Sequence, residues 1–184
     1  MSKIIGLDIS TSVTGITVLD DSVDYPHIVL MDHITFEDCD DVWEKADKFN
    51  ERFTEICIQN HPIDAVYIEE ALLNFRTGLS NAQTITTLVK FNGLCSYIVR
   101  NHMGSSPSFV ASTTARKNCG IKIIQRKKCD MSAKEQVFTW ALAGPLSKLE
   151  FEKTRTGKYK TWNYDRVDSF VIALHGLKEL QRAT

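Results

Sequence analysis

The run Lys3-Ile4-Ile5-Gly6-Leu7-Asp8-Ile9, followed by Ser10-Thr11-Ser12-Val13-Thr14-Gly15 and Ile16-Thr17-Val18-Leu19, sets the architecture. Residues 3–9 read as a buried strand with one acid set among apolar neighbours. The small polar stretch 10–15 reads as a tight turn, and 16–19 as a second strand. Asp20-Asp21-Ser22 makes the next turn, and 28–36 a third strand. Connections this short imply an antiparallel meander.

Outward from the meander, the period of the apolar residues changes. Val42, Ala46, Phe49, Phe53, Ile56 and Cys57 recur at helical spacing over 40–60, after an acidic start that suits the positive end of a helix, and Pro62 ends the pattern. Residues 64–70 form a fourth strand closing on Glu69-Glu70. A second long helix spans about 80–102, and a fifth strand follows Pro107 over 108–112. A short helix covers Thr113 to Cys119. A basic loop, a helix over 132–143 stopped by Gly144-Pro145, a charged and mobile stretch at 150–163, and a last helix from about 165 to 180 complete the chain. Three meander strands followed by β–α–β crossovers predict an α/β fold: a mixed five-stranded sheet with helices on both faces, one domain over 1–184.

With 184 residues and 43% hydrophobic content, the chain can bury a core without disulfides, and collagen-like, disordered and low-complexity classes are excluded. The five cysteines are widely spaced, with no Cys-x-x-Cys, so reduced structural thiols in an intracellular protein are expected. No membrane span and no signal peptide are expected, which points to the cytoplasm; a viral protein acting in its host cell would read the same. The net charge of −1 conceals an asymmetry. Residues 1–70 hold 4 basic and 16 acidic side chains, and residues 71–184 hold 18 basic and 7 acidic. A basic second half suits a phosphate-bearing partner.

Four acids stand where a fold would not place them idly. Asp8 lies inside an apolar strand, Glu69 ends another, and Asp165 and Asp168 open the last helix three residues apart, on one face. If the first and fourth strands are central neighbours, their acids converge on the start of that helix. Gathered carboxylates repel, and burying a lone one costs several kcal/mol, roughly, so the cluster needs a cation. Hard oxygen ligands select Mg²⁺ or Mn²⁺. A pair of such ions activates water and stabilises the leaving oxygen of a phosphodiester. The bland alternatives are a helix cap for Asp165, a dipole-stabilised first-turn acid for Asp168 and a surface acid for Glu69.

At these residues the chain resembles the RuvC family of Holliday-junction resolvases, within the RNase H-like superfamily. Ile5-Gly6-Leu7-Asp8 with Ser10 and Thr14-Gly15 is similar to the family's opening strand-turn-strand. Ile68-Glu69 resembles its second acidic site, and Asp165-Arg166-Val167-Asp168 before Ile172-Ala173-Leu174 its closing Asp-x-x-Asp helix. Ser132-Ala133-Lys134-Glu135-Gln136-Val137 resembles the basic segment preceding it. The resemblance implies a homodimer that binds a four-way DNA junction and nicks two strands symmetrically. It implies Asp8, Glu69, Asp165 and Asp168 as catalytic ligands of Mg²⁺ or Mn²⁺ ions, two per site, and Lys134 as a catalytic and DNA-binding group at the scissile phosphate. Ile9, Leu72 and the long segments 121–131 and 150–163 depart from compact bacterial members and are more like the phage, poxviral and mitochondrial branches.

Arg116, Lys117, Lys122, Arg126, Lys127 and Lys128 form one candidate DNA-binding group. Lys158 and Lys160 belong to another, with Lys153, Arg155 and Arg166 and the aromatic residues Tyr159, Trp162 and Tyr164 interleaved. Phe75 is a candidate for stacking on a base, with core packing as its bland reading. Other readings stay open: another RNase H-like nuclease acting on RNA–DNA hybrids or branched DNA, a non-catalytic DNA-binding module, and a sugar- or acetate-kinase-like ATPase, for which 184 residues are too few.

Overall fold

The computed structural model describes residues 2–21, 27–71 and 82–183. Strands β1 (Lys3–Asp8), β2 (Val13–Asp20) and β3 (His27–Thr35) form the expected meander. Helix α1 (Val42–Asn60) crosses to β4 (Ala65–Glu69), and α2 (Ala82–Met103) leads to β5 (Ser108–Val110). Helices α3 (Ser112–Asn118), α4 (Ala133–Ala143) and α5 (Trp162–Ala183) follow. The sheet order is β3-β2-β1-β4-β5, with β1–β4 and β4–β5 parallel, so the first and fourth strands are central neighbours as the crossover logic requires. No helix among the described residues is long and apolar enough to cross a membrane.

Strand alternation divides the molecule into two cores. Ile5 and Leu7, Ile16 and Val18, and Val66 and Ile68 point to one face, where they pack with Phe49, Phe53 and Ile56 of α1 and Phe91, Cys95 and Val99 of α2. Asp41 caps α1, its carboxylate accepting the backbone N–H groups of Trp43 and Glu44. The alternate residues Gly6 and Asp8, Gly15 and Thr17, and Tyr67 and Glu69 therefore point to the opposite face. There α5 lies against the sheet through Val167, Phe170, Val171 and Leu174, backed by α3 and α4.

Two glycines set how closely α5 approaches. A Cβ on Gly6 would overlap the Ser169 carbonyl oxygen and the Ala173 backbone; one on Gly15 would overlap the Asp165 carbonyl. Only hydrogen atoms fit between β1, β2 and the helix. The contact is pinned by a buried hydrogen bond between the Thr17 and Ser169 hydroxyls, 2.8 Å long. These contacts fix the rotation of α5 and hence the direction of its acidic face.

Two segments differ from the sequence expectation. Helix α5 starts at Trp162, three residues before Asp165, which therefore sits within its first turn and does not cap it. The helix is extended by tertiary packing: the Trp162 ring stacks on His33 of β3 at 5.1 Å. The charged stretch read as mobile is a bonded turn, with Lys153 bridged to Tyr159, Thr154 N–H donating to the Lys158 carbonyl at 2.7 Å, and Gly157 supplying a φ of 80°.

Candidate active site

Parallel pairing of β1 and β4 runs from Ile4 opposite Ala65 to Leu7 opposite Ile68. One step further, Asp8 and Glu69 stand side by side at the ends of adjacent strands, roughly 5 Å apart along the hydrogen-bonding direction. Above them, α5 presents Asp165 and Asp168, one turn apart. The fifth member comes from α4. Ser132 caps that helix in a reciprocal box with Glu135, which fixes its first turn and projects Lys134 toward the acids. The Lys134 ammonium lies 2.7 Å from Asp165 Oδ1, 3.3 Å from Asp168 Oδ2 and 3.5 Å from Asp8 Oδ2. Five residues spread over 160 positions of sequence thus meet at one place.

A sixth residue joins them from within. Arg116 of α3 donates from Nη2 to Asp168 Oδ1 at 3.2 Å, with both side chains mostly buried. Read from sequence as one of several DNA-contacting cations, Arg116 is folded inward against a site acid. Ser112, at the start of the same helix, lies beside Glu69 and favours its ionised form. Neither role was legible beforehand, because only the docking of α3 on α5 brings them to the acids.

Electrostatics mark the place as short of positive charge. Burial holds the Asp8 carboxyl well above the usual carboxylate range; Lys134 draws it back, and Glu69, Asp168 and Asp165 push it further up. Burial also raises Glu69, reinforced by Asp168 and opposed by Arg116, Lys134 and Ser112. Burial works against the charge of Lys134, yet the surrounding Asp8, Asp168 and Asp165 carboxylates push its pKa upward. Asp168 Oδ2 is buried without a hydrogen bond, although it stands within ion-pair range of Lys134.

The donor set is therefore all hard oxygen, with an unmet demand for cation charge, and it fits Mg²⁺ or Mn²⁺ in chemistry. Its present spacing is that of an ammonium cradle. Among the described residues, no three acid, histidine or cysteine side chains are grouped closely enough to hold an ion. Lys134 stands among three of the four acids.

The remaining candidates lie around this centre. Lys117 is exposed on α3, and Lys122, Arg126, Lys127 and Lys128 are exposed on the loop between α3 and α4, the last three in a single 3₁₀ turn. Lys158 is exposed on the Lys153–Tyr159 turn. Lys160 pairs with Glu152 at 3.4 Å and lies 4.4 Å from the centroid of the Trp162 ring. Tyr159 and Tyr164 pack against Phe138, and Arg166 donates to the Met31 carbonyl, so these residues hold the turn to the body. Phe75 lies outside the described residues.

No family model matches the sequence, and no curated protein matches it. Solved structures do. RuvC of Thermus thermophilus, in complex with a Holliday junction substrate, superposes with a TM-score of 0.67 at 12% identity, covering 99% of this chain and 96% of that one. The yeast mitochondrial Holliday junction resolvase Ydc2 superposes with a TM-score of 0.59 at 12% identity, over 95% of this chain and 77% of that one. The fowlpox virus resolvase, in a complex with Holliday junction DNA, gives 0.51 at 13%, over 97% and 98%. The bacterial structure superposes better than the viral one, an order that the long loops alone would not suggest. The chain has the fold of the RuvC-type junction resolvases, from one end of its sheet to the other.

Proposed function

We propose that the protein is a structure-selective endonuclease that resolves four-way DNA junctions by divalent-metal-dependent phosphodiester hydrolysis, acting as a homodimer. The observation that carries this reading is the meeting of Asp8, Asp165 and Asp168 around Lys134, with Glu69 on the strand beside Asp8, in a fold shared with three junction resolvases. In the reaction, a water oxygen attacks phosphorus and one P–O bond breaks. The products are a phosphomonoester and a free sugar hydroxyl, with the water's protons taken up by the leaving oxygen and solvent. When bound, Mg²⁺ or Mn²⁺ ions supply the acidity that makes water a nucleophile and the charge that steadies the leaving oxygen.

The chain's own residues do the rest. Asp8, Glu69, Asp165 and Asp168 would hold the ions, and Arg116 fixes the orientation of Asp168. Lys134, 48% exposed at its side chain, is free to exchange its carboxylates for a non-bridging oxygen of the phosphate. The cations of the α3–α4 loop neutralise neighbouring phosphates. Two copies related by a twofold axis match a substrate with nearly the same symmetry and place two such sites for paired nicks.

The test is cleavage of a synthetic four-way junction in Mg²⁺, beside linear duplex and RNA–DNA hybrid of the same sequence. Paired nicks in the junction alone are expected. Preferential cutting of the hybrid would transfer the protein to another RNase H-like activity, and binding without any cutting would make it an architectural module.

A further inference from the structure

The loop between α3 and α4 carries an unusual tip. Ile121 is buried and anchors its start, but the next two apolar residues turn outward: Ile123 is 38% and Ile124 52% exposed. Solvent-facing isoleucines side by side serve no core, and they are bracketed by Lys122 on one side and Arg126, Lys127 and Lys128 on the other. Among the described residues, none of these four cations makes an ion pair; the nearest acid on α4, Glu135, is engaged in the capping box. The patch is thus an apolar pair flanked along the loop by four exposed cations, which suits a polyanion with apolar faces to offer.

The tip is also held in place. Gln136 of α4 accepts the Ile124 N–H at 2.8 Å through Oε1, and its Nε2 donates to the carbonyls of Ile124 at 2.9 Å and Met131 at 3.1 Å. Gln136 follows Lys134 by two residues, so the loop and the carboxylates flank α4 from nearly opposite faces. Their separation is about one helix diameter, ~10 Å. Along one stacked DNA strand that is about three base steps.

Resting on the proposed junction-resolving activity, we infer that Ile123 and Ile124 form an apolar wedge that enters the opened bases at the branch point, while the surrounding cations grip the flanking phosphates. A duplex has no opened step to receive such a wedge without the cost of unstacking, whereas a branch point offers one already loosened. The pair therefore confers preference for branched over linear DNA, and Gln136 keeps it at a fixed distance from the cleaved linkage.

The experiment uses four-way junctions with 2-aminopurine at the exchange point, and linear duplex of the same sequence, both in EDTA. Wild type is compared with Ile123→Ser/Ile124→Ser, Lys127→Ala/Lys128→Ala and Gln136→Ala. Wild type raises the 2-aminopurine fluorescence of the junction. The isoleucine variant loses most of that rise and about tenfold in junction affinity, with duplex affinity unchanged. The lysine variant weakens junction and duplex alike. Gln136→Ala retains binding but loses part of the fluorescence rise. A full rise and an undiminished junction-to-duplex ratio in the isoleucine variant would overturn the wedge while leaving the nuclease reading intact. A wild-type protein with no junction preference and no junction cleavage would overturn both.

Discussion

The guanidinium of Arg116 lies 3.2 Å from Asp168 Oδ1, and the two side chains are 14% and 4% exposed. This ion pair joins α3 to the acidic face of α5. Removing Arg116 leaves the buried Asp168 among the other acids with Lys134 as its remaining cation, at a cost of about 3 kcal/mol. Arg116→Gln should therefore lower the melting temperature of the metal-free protein by roughly 6–12 °C. Arg116→Lys should recover part of the stability but not the geometry of Asp168. A melting temperature unchanged in Arg116→Gln would show that the pair contributes nothing to the fold.

Glycine substitutions should divide sharply by position. Gly15→Ala drives a methyl group into the Asp165 carbonyl, where backbone must move. Overpacking of this kind costs about 1–3 kcal/mol or more and displaces the helix that carries two site acids. Gly93→Ala on α2 meets nothing within 4 Å. It should stabilise the protein by about 0.5–1 kcal/mol through helix propensity. Chemical denaturation of both variants reads the contrast directly.

Asp8→Asn should stabilise the metal-free protein even as it abolishes the proposed cleavage. The ionised Asp8 is buried beside three other acids with only Lys134 to offset it, which is why its pKa is raised. Its raised folded value means that stability falls as pH rises from the unfolded carboxylate range toward the folded value, and the amide removes that loss. The advantage of Asp8→Asn in EDTA melts should grow from about pH 4 upward. Added Mg²⁺ should narrow the gap, because an ion that binds only the native state stabilises wild type. Junction affinity should persist in the variant.

His175 gives the opposite slope. It is buried, and its Nδ1 accepts a hydrogen bond from the Asn118 amide at 2.8 Å, an arrangement that requires an unprotonated nitrogen. Burial lowers its pKa; Glu179 pulls the other way and Arg182 adds to the lowering. A histidine depressed in the folded state contributes stability at and above its unfolded value, near 6.5, and that contribution is lost as pH falls toward the folded value. His175→Gln should therefore flatten the fall in melting temperature between about pH 6.5 and 5. An identical slope in the variant would remove His175 from the acid response.

The acids could be found from sequence because each broke a local pattern. Asp8 interrupts an apolar strand, Glu69 closes one, and the Asp165–Asp168 spacing matches a helical turn. Helix caps and strand alternation are local properties, so the element order followed from them. The missed features all depend on how elements dock. Arg116 looks like Lys117 until α3 rotates one inward and the other out. Tyr159 and Tyr164 lie among cations and read as base-stacking groups, but Phe138 of α4 claims both. The start of α5 was misplaced because Asp165 resembles a cap, whereas the stacking of Trp162 on His33 lengthens the helix. Gly6 and Gly15 did leave a trace, since glycine inside a strand marks close backbone approach.

The gathering of site residues from β1, β4, α4 and α5 has a consequence for synthesis. As the chain leaves the ribosome, Asp8 and Glu69 emerge early, but the helix that bears their counterparts is made last and must dock onto strands already threaded out. Before that helix is in place only two of the four acids stand side by side, and the cluster is completed when Gly6 and Gly15 receive it.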